Sequence, residues 1–250
     1  MKDEFPVTVV TVCYNSEETI GRTFESLLNQ TYKNFEYIVI DGGSTDRTLD
    51  IIKEFEGKFE GCFKYVSEKD GGIYDAMNKG ILLSSGSYIG LLNSDDWYEN
   101  NTVEEVVRNI KNNPEVDIFY GFIRVIKKGR EYMVRRNNYD FIAEGSGLIQ
   151  HPTCFIKRKA YEDVGLYDTK YRVCADQDLI LRMVLSGKKY LGINSVLTNF
   201  SQGGITDNFD ATYEVLKFKY NNKIISRSAY LRSFVFSGIK RVLKKVVKTR

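Results

Sequence analysis

The sequence predicts an α/β fold in which helices flank a mainly parallel, Rossmann-like β-sheet. Two observations support this fold class. In the first hundred residues, short apolar runs rich in β-branched residues alternate with longer stretches whose apolar residues recur at helical spacing, as in βαβ units. Each run also ends in polar or acidic residues, and ligands bind at the carboxyl ends of the strands in sheets of this kind.

The first half of the chain contains alternating predicted strands and helices. Strands are expected at residues 8–15, 35–41, 63–68 and 88–93, and helices at residues 16–30, 46–55 and 73–84. Asn15 and Glu18 have the spacing of a capping box for the first helix, with Asn in place of Ser or Thr. Because each strand is followed by a helix, consecutive strands are expected to run parallel.

Shorter strands are predicted in the second half, among further helices. A helix is expected at residues 102–112, followed by a hairpin of strands at 117–126 and 130–136 with Gly129 in its turn, and by a strand at 151–158. An amphipathic helix at residues 176–188 would direct Leu179, Met183 and Leu185 inward. No linker is visible, so we expect one domain over residues 1–208 and a helical tail over residues 209–250, with a helix near 209–221.

Charge is unevenly distributed along the 250 residues. Of the 36 Lys and Arg residues, 11 lie after Glu214, where no Asp or Glu occurs, so the preceding part is acidic. Apolar residues recur at helical spacing in the same tail: Leu231, Phe234, Val235, Ile239, Val242 and Val246. A basic amphipathic helix is typical of a membrane-surface segment, and packing on the acidic body is the alternative. No nucleic-acid partner is expected, because the tail lacks a reader motif.

The sequence predicts a cytoplasmic protein without a secretory signal or a spanning helix. The N-terminal "MKDEFPVTVVTV" contains acidic residues and only a short apolar run, and no stretch reaches about 18 apolar residues. The four Cys residues are widely spaced and include no C-x-x-C pair. This spacing argues against a zinc site and against a disulfide framework.

Acidic residues at two strand ends are candidates for ligand binding. Asp41 ends the second strand, and Asp95 and Asp96 follow the fourth strand in "GLLNSDDWY". Each could instead form a turn or a cap, and the adjacent Trp97 could either pack or hold a sugar ring. Two hard carboxylates at one strand end suit Mg²⁺ or Mn²⁺. The chain has no G-x-G-x-x-G after the first strand and no G-K-[ST] loop, which argues against a dinucleotide fold or a P-loop.

Further candidates lie on helices and at the start of a late strand. Asp75 and Asn78 share a face of the third helix and are either solvated or next to a nucleotide. Asp176 and Asp178 open a helix, where carboxylates stabilise the helix dipole or, when aimed into a cleft, act as a general base. His151, the only His of the chain, is either structural or at the edge of the cleft.

Six segments, taken in order, resemble the family 2 glycosyltransferases, which have the GT-A fold. They are "TVCYNSEETI", "YIVIDGGSTDRT", "SEKDGGIYDAMNKGI", "YIGLLNSDDW", "HPTCFIKRKAYEDVGLYD" and "ADQDLILRM". The resemblance covers about residues 5–205 and is strongest to bacterial enzymes of O-antigen and capsule-type polysaccharide pathways. It implies a nucleotide-binding half at about residues 1–97 and an acceptor half at about residues 98–208.

The resemblance also implies a reaction. An enzyme of this kind would move a hexose or N-acetylhexosamine from a UDP-sugar to an acceptor hydroxyl with inversion, using Mn²⁺ or Mg²⁺. The acceptor would be an oligosaccharide or a polyprenyl-diphosphate-linked saccharide, and the basic tail would lie on the inner face of the bacterial cytoplasmic membrane. The Q-x-x-R-W element of processive members is absent, which favours a single-addition enzyme over a polymerase.

The resemblance assigns roles to residues by their position in its motifs. Residues expected to contact the nucleotide are Thr11, Tyr14, Asn15, Asp41 (at the uracil), Asp75 and Asn78. Asn93-Ser94-Asp95 falls on the D-x-D motif, so Asp95 would bind the metal. Residues expected near the donor or acceptor are Asn93, Asp96, Trp97 and His151. Asp176 falls on the Asp of a Glu-Asp pair and would be the catalytic base.

Two departures from the pattern leave alternatives open. Asn93 replaces the first Asp of D-x-D, and Ala175 replaces the Glu of Glu-Asp, which keeps Asp178 open as a base. They motivate the hypothesis of an inactive subunit that binds nucleotide-sugar within a polysaccharide assembly complex. A sugar-phosphate nucleotidyltransferase is a further hypothesis, against which stands the lack of a Gly-rich, basic phosphate loop near the N-terminus.

Overall fold

The computed structural model describes residues 5–59, 61–136, 149–203, 209–234 and 236. In this part of the chain one sheet contains nine strands: β1 Val7–Cys13, β2 Glu36–Asp41, β3 Phe63–Ser67, β4 Tyr88–Asn93, β5 Trp97–Tyr98, β6 Ile118–Lys127, β7 Arg130–Arg135, β8 Phe155–Lys157 and β9 Tyr190–Ser201. The strand order is β3-β2-β1-β4-β8-β6-β9-β5, and β7 pairs with β6 outside this path.

Helices flank this sheet, as predicted. They are α1 Ile20–Leu28, α2 Thr48–Glu56, α3 Ile73–Leu83, α4 Thr102–Asn112, α5 Arg158–Val164, α6 Ala175–Leu185 and α7 Phe209–Asn221. A further helical stretch covers residues 227–234. The sequence placed α4 and α7 at the bounds that the structure shows, and the other predicted helices within a few residues of theirs.

The first half forms the parallel sheet that the sequence predicts. β1 pairs in parallel with both β2 and β4, and β2 pairs in parallel with β3. Every residue of β1 and β2 is buried. Neighbouring side chains contribute to different cores: Val9 packs in the cluster that contains Phe24 of α1, and Val10 in the cluster that contains Met77 of α3. Burial on both faces explains why these strands are continuously apolar in sequence.

The second half adds antiparallel pairs to the same sheet. β8 is antiparallel to both β4 and β6, and β6 pairs in parallel with β9. The predicted hairpin is present as β6 and β7, joined at Lys128 and Gly129, whose φ angles are 52° and 73°. Positive φ at both turn residues matches the twist of a two-residue hairpin. The fold is therefore a mixed α/β sheet whose parallel first half carries the strand ends described above.

The expected strand at residues 151–158 is shorter in the structure. The segment begins with the 3₁₀ turn His151–Thr153, and the strand is confined to Phe155–Lys157. Pro152 lies in that turn, and Pro has no N–H for a strand ladder. The hydroxyl of Thr153 instead donates to the carbonyl of Gln150 at 2.7 Å.

Two local predictions are wrong. Leu179 and Met183 are fully buried on α6, whereas the side chain of Leu185 is 77% exposed. Leu179 and Met183 are four residues apart and share a face, but Leu185 lies six residues from Leu179, on the other side of the helix. The capping box is also absent: Oδ1 of Asn15 accepts the N–H of Thr45 at 2.8 Å, and α1 begins only at residue 20.

The tail packs on the body through α7. Phe218 is buried, and its ring meets that of Tyr171 edge-on at 5.9 Å. Leu231 and Phe234, from the apolar set predicted for the amphipathic helix, are exposed. The other members, Val235, Ile239, Val242 and Val246, lie outside the described residues. Within the described part of the chain, no helix is long and apolar enough to cross a membrane.

Gly80 determines how closely α3 packs on β1. A Cβ at position 80 would lie 2.2 Å from Cγ1 of Val10, well inside van der Waals contact. We expect Gly80→Ala to lower the free energy of unfolding by about 1–3 kcal/mol through overpacking. Gly21→Ala in α1 is the control: no described atom lies within 4 Å of its added Cβ, so helix propensity should raise the same free energy by up to about 1 kcal/mol. Urea unfolding measures both, and equal changes would contradict the packing shown.

Candidate active site

A cavity of about 1020 Å³ lies where the carboxyl ends of β1 and β4 approach the first turns of α3 and α6. Among the described residues, those singled out from the sequence that line it are Tyr14, Asn15, Asn93, Asp95, His151 and Asp176. Those outside its lining are Thr11, Asp41, Asp75, Asn78, Asp96, Trp97 and Asp178. The strand ends therefore converge as predicted, but some of the candidate side chains lie outside the cavity.

Buried hydrogen bonds fix the turn that follows β4. The hydroxyl of Thr23 in α1 donates to the carbonyls of Ser94 and Asp96, at 3.0 and 2.7 Å. The N–H of Ser201, at the end of β9, donates to Oδ1 of Asp96 at 2.9 Å. The carboxylate of Asp96 is thereby fully buried inside the turn, and Asp95 is left facing the cavity.

Arg22 and Trp97 support this turn from the side. The guanidinium of Arg22 lies 3.7 Å from the centroid of the Trp97 ring and donates to the carbonyl of Asp95 at 2.9 Å. Burial raises the pKa of Asp95, although the charge of Arg22 opposes this. Burial and then the charge of Asp95 raise the pKa of Asp96 well above its ordinary value. Trp97 thus packs beneath the turn rather than facing the cavity.

Asp95 and Asn93 present oxygen atoms that suit a hard divalent cation. Asp95 is half-buried at the cavity, and Oδ1 of Asn93 is buried without a hydrogen-bond partner among the described residues. The described residues contain no group of three or more His, Cys, Asp or Glu side chains placed to hold a metal. Mg²⁺ and Mn²⁺ bind through one or two carboxylates together with water and phosphate oxygens. The donor set therefore fits such a cation held jointly with an anionic ligand.

A carboxylate also reaches the cavity from the first turn of α6. Oδ1 of Asp176 accepts the N–H of Gln177 at 2.8 Å and the hydroxyl of Tyr74 at 3.4 Å. Burial raises the pKa of Asp176, and the neighbouring His151 and these hydrogen bonds offset part of the increase. A carboxylate with a raised pKa that faces a cavity is well suited to accept a proton.

His151 is a buried neighbour of Asp176 rather than a solvated side chain. Its Nε2 is hydrogen-bonded to the hydroxyl of Tyr167, whose ring stacks on that of Tyr74 at a centroid distance of 5.5 Å. Burial lowers the pKa of His151 despite the opposing charge of Asp176. The imidazole is therefore neutral at pH 7, and these rings form an uncharged wall beside the carboxylate.

The structure separates the two carboxylates between which the sequence left the base open. Oδ2 of Asp178 accepts Nε of Arg182 at 2.8 Å. The terminal nitrogens of Arg182 donate to the carbonyls of Val164 and Leu166, at 2.6 and 2.7 Å. Asp178 thus orients Arg182, which ties α6 to the end of α5, and Asp178 lies outside the described lining of the cavity. Asp176 is the member of this pair that lines the cavity.

A comparison with protein families identifies the chain. The family model described as "Glycosyl transferase family 2" matches residues 8–169. The chain belongs to this family. It is therefore a glycosyltransferase, and its mixed α/β sheet is a GT-A fold, as the sequence resemblance implied.

Relatives of this glycosyltransferase include mycobacterial proteins. An uncharacterised glycosyltransferase of Mycobacterium tuberculosis is 32% identical over 208 residues, which cover 80% of this chain and 76% of the relative. A PGL/p-HBAD biosynthesis glycosyltransferase of Mycobacterium bovis BCG is 29% identical over 186 residues, which cover 70% of this chain and 68% of the relative.

Two solved structures share the fold at low identity. A fragment of S. aureus TarS in complex with UDP-GlcNAc has a TM-score of 0.71 and 20% identity, covering 85% of this chain and 64% of the fragment. The mannosyltransferase PcManGT from Pyrobaculum calidifontis, in complex with GDP-Man and Mn²⁺, has a TM-score of 0.66 and 16% identity, covering 93% of this chain and 69% of that one. This glycosyltransferase therefore spans about two thirds of the length of each.

Two residues expected at the nucleotide are bonded to protein groups in this glycosyltransferase. Asp41 is fully buried and accepts the hydroxyl of Ser67 at 2.6 Å and the N–H of Ser44 at 3.2 Å. Thr11 is also fully buried, and its hydroxyl accepts that of Tyr37 at 3.0 Å. Their contact with a nucleotide remains a prediction.

The two candidates on α3 also bond to the protein. Oδ2 of Asp75 accepts the N–H of Gly71 at 2.9 Å and lies 3.6 Å from Nζ of Lys79. The amide of Asn78 bridges the backbone of Tyr167, donating to its carbonyl at 2.9 Å and accepting its N–H at 3.0 Å. Both side chains stabilise the elements around the cavity, and their contact with a nucleotide remains a prediction.

Sequence reasoning missed several residues that this glycosyltransferase brings to the cavity. Tyr74 of α3 and Phe218 and Lys219 of α7 line it. Tyr74 lies directly before Asp75 within a segment that carried the resemblance, so its position was a usable signal. The contacts of α7 with the body join residues about forty positions apart, which local sequence patterns do not reveal. The one signal in the sequence was that Glu214, on this helix, is the last acidic residue of the chain.

Proposed function

We propose that this glycosyltransferase transfers a hexose or N-acetylhexosamine from a UDP-sugar to a saccharide acceptor, with inversion and with a divalent cation. One observation carries the proposal: Asp95 after β4 and Asp176 on α6 bring two carboxylates to the same cavity. An inverting transfer of this kind needs two anionic groups. One binds the cation that stabilises the leaving diphosphate, and the other takes the proton of the attacking hydroxyl. The UDP-GlcNAc bound to the TarS fragment supports the donor class.

Asp176 is proposed to act as the general base. Its carboxylate takes the proton of the acceptor hydroxyl while the hydroxyl oxygen forms a bond to the anomeric carbon. The bond from that carbon to the diphosphate oxygen breaks on the opposite face, so UDP leaves and the configuration inverts. The hydroxyl of Tyr74 and the N–H of Gln177 orient the carboxylate for this transfer. No enzyme nucleophile is needed for a direct displacement.

Asp95, together with Asn93, would hold Mn²⁺ or Mg²⁺. When bound, the cation neutralises the charge that develops on the leaving diphosphate. Arg22 and the hydroxyl of Ser201 fix the backbone carbonyl of Asp95, at 2.9 and 2.7 Å, and so orient its side chain. The Mn²⁺ in the PcManGT complex supports a divalent ion in this family.

The nucleotide is proposed to lie against Tyr14 and Asn15. Tyr14 is 62% exposed, so its ring can close on a bound ligand. Asp41 would recognise the uracil after exchanging its hydrogen bonds with Ser44 and Ser67 for bonds to the base. Thr11, Asp75 and Asn78 would border the same ligand. Asp96, Trp97 and His151 would shape the donor and acceptor side.

The acceptor is proposed to be a polyprenyl-diphosphate-linked saccharide of a cell-surface polysaccharide pathway, met at the inner face of the cytoplasmic membrane. Phe218 and Lys219 of α7 line the cavity, and the basic tail continues from this helix. A tail held on anionic lipid would therefore bring the cavity close to a lipid-linked acceptor. Each basic residue near such a surface contributes on the order of 1 kcal/mol of binding free energy.

We expect UDP to bind this glycosyltransferase more tightly with Mn²⁺ than without it, and Asp95→Asn to remove most of that dependence. Loss of a metal ligand should weaken the Mn²⁺-dependent binding by about tenfold or more. Asp50→Asn, at an exposed position on α2, is the control and should bind as the native chain does. Calorimetry measures UDP binding to the native chain and to both variants, with and without Mn²⁺. Binding of UDP that ignores Mn²⁺ in the native chain would support the inactive-subunit hypothesis.

We expect Asp176→Asn to lower kcat by about 10²–10⁴-fold, the usual effect of removing a general base. Asp178→Asn, two residues away on the same helix, is the matched control and should stay within about threefold, because it loses only a partly exposed ion pair. The kcat of both variants is measured as the rate of UDP release from UDP-sugars in the presence of an acceptor mixture. If Asp178→Asn were the inactive variant, the base would be reassigned.

We expect the chain to float with vesicles that contain anionic phosphatidylglycerol and to remain unbound with neutral phosphatidylcholine. Replacing Lys244 and Lys245 with Gln should weaken this binding by roughly thirtyfold, at on the order of 1 kcal/mol per charge. The matched control replaces Lys53 and Lys58, on and just after α2, in the same way and should bind as the native chain does. Equal binding to neutral and anionic vesicles would refute an electrostatic membrane contact.

A further inference from the structure

Glu214 of α7 binds the backbone of the segment that leads into α6. Oε1 accepts the N–H groups of Arg172, Val173 and Cys174 at 3.0, 2.8 and 3.1 Å, and Oε2 accepts that of Arg172 at 3.0 Å. The thiol of Cys174 also donates to Oε1 at 3.1 Å. One carboxylate from the tail therefore gathers three consecutive N–H groups that lie about forty residues earlier in the chain.

The charge of Glu214 is part of this contact. Burial alone would raise the pKa of Glu214, but the N–H of Val173, the thiol of Cys174 and the remaining N–H donors hold the pKa below its ordinary value. The carboxylate is therefore ionised at neutral pH, and charge-assisted hydrogen bonds of this kind are stronger than neutral ones. Packing of Phe218, one turn further along α7, holds the helix in position.

The bound segment ends two residues before Asp176. Cys174 occupies the N-cap position of α6, and its side chain forms no capping hydrogen bond within the described part of the chain. Glu214 thus accepts the N–H of the N-cap residue from a distance, a bond that an N3 side chain provides in a capping box. The pKa of the Cys174 thiol is raised by burial, then by Glu214 and also by Asp176, so both carboxylates lie within the electrostatic range of one thiol.

We propose that Glu214 is a positioning residue, through which the tail helix α7 holds the start of α6 so that Asp176 faces the acceptor hydroxyl. The proposal rests on the function proposed above, in which Asp176 is the base. Docking of α7 and orientation of the base are then coupled, because both depend on Glu214. Its carboxylate anchors the tail and orders the segment that leads to Asp176.

The other titratable groups around Asp176 leave its own pKa as the one that sets the acid limb of a pH profile. The groups that face Asp176 are His151, Tyr74, Tyr167, Cys154 and Cys174. Burial lowers the pKa of the imidazole and raises those of the phenols and thiols, so all of them are neutral at pH 7. Removing Glu214 should loosen the segment that carries Asp176 and expose its carboxylate to water, which lowers the pKa of Asp176 because burial is the largest cause of its raised value.

The test compares Glu214→Gln, Glu214→Asp and the control Glu162→Gln, an exposed position on α5, in the full-length chain. Amide hydrogen exchange at residues 172–176 reports the backbone contact and needs no substrate. We expect exchange there to speed up in Glu214→Gln alone. We also expect its kcat to fall about ten- to a hundredfold with little change in donor KM, and the acid limb of kcat to move on the order of half a pH unit lower.

Glu214→Asp keeps a carboxylate that can accept these N–H groups, and it should return the acid limb toward its native position. Unchanged exchange at residues 172–176 in Glu214→Gln would overturn the proposal. A second outcome would also overturn it: activity falls only as far as the amount of folded protein falls, while donor KM and the acid limb of kcat are unchanged. That result would mean that the contact of Glu214 is purely structural. If the native chain turns over no UDP-sugar, the proposed function has failed, and the exchange data alone decide whether Glu214 holds the segment.

Discussion

The buried carboxylate of Asp96 is the interaction on which the site depends. Removing a carboxylate from water is costly unless hydrogen bonds compensate, and here the N–H of Ser201 supplies one. This bond draws the end of β9 to the end of β4, while Thr23 attaches the same turn to α1. Three elements distant in sequence therefore meet at one turn. Asp95, the preceding residue, is held at the cavity because Asp96 is held inside.

The sequence predicted the first half of the fold because its strands are buried on both faces and so remain apolar throughout. β9 was not predicted, since Asn194, Ser195 and Asn199 interrupt its apolar pattern while its neighbours in the sheet supply the burial. Leu185 shows the reverse case, in which an apolar residue counted as inward lies on the exposed face of α6. Local pattern identifies an element, whereas the environment of each of its faces depends on distant parts of the chain.

The candidate site was predictable to a similar extent. Asp95 and Asp176 reach one cavity because a strand end and a helix start are positions that the sequence fixes locally. Asp41 shows what the sequence does not reveal. From the sequence its carboxylate is a plausible ligand for a nucleotide, but in the folded chain one of its oxygens accepts a hydrogen bond from the hydroxyl of Ser67. Glu214 illustrates the same limit, because its role depends on where α7 docks.

The placement of α7 affects how this protein can be handled and how it can diverge. A chain shortened before residue 209 keeps the whole segment matched by the family model, yet it loses Phe218 and Lys219 from the wall of the cavity. Boundaries drawn from family similarity alone would therefore yield a fragment with an opened cleft. Under the function proposed above, the tail could change with the acceptor while residues 8–169 keep the motifs of the family.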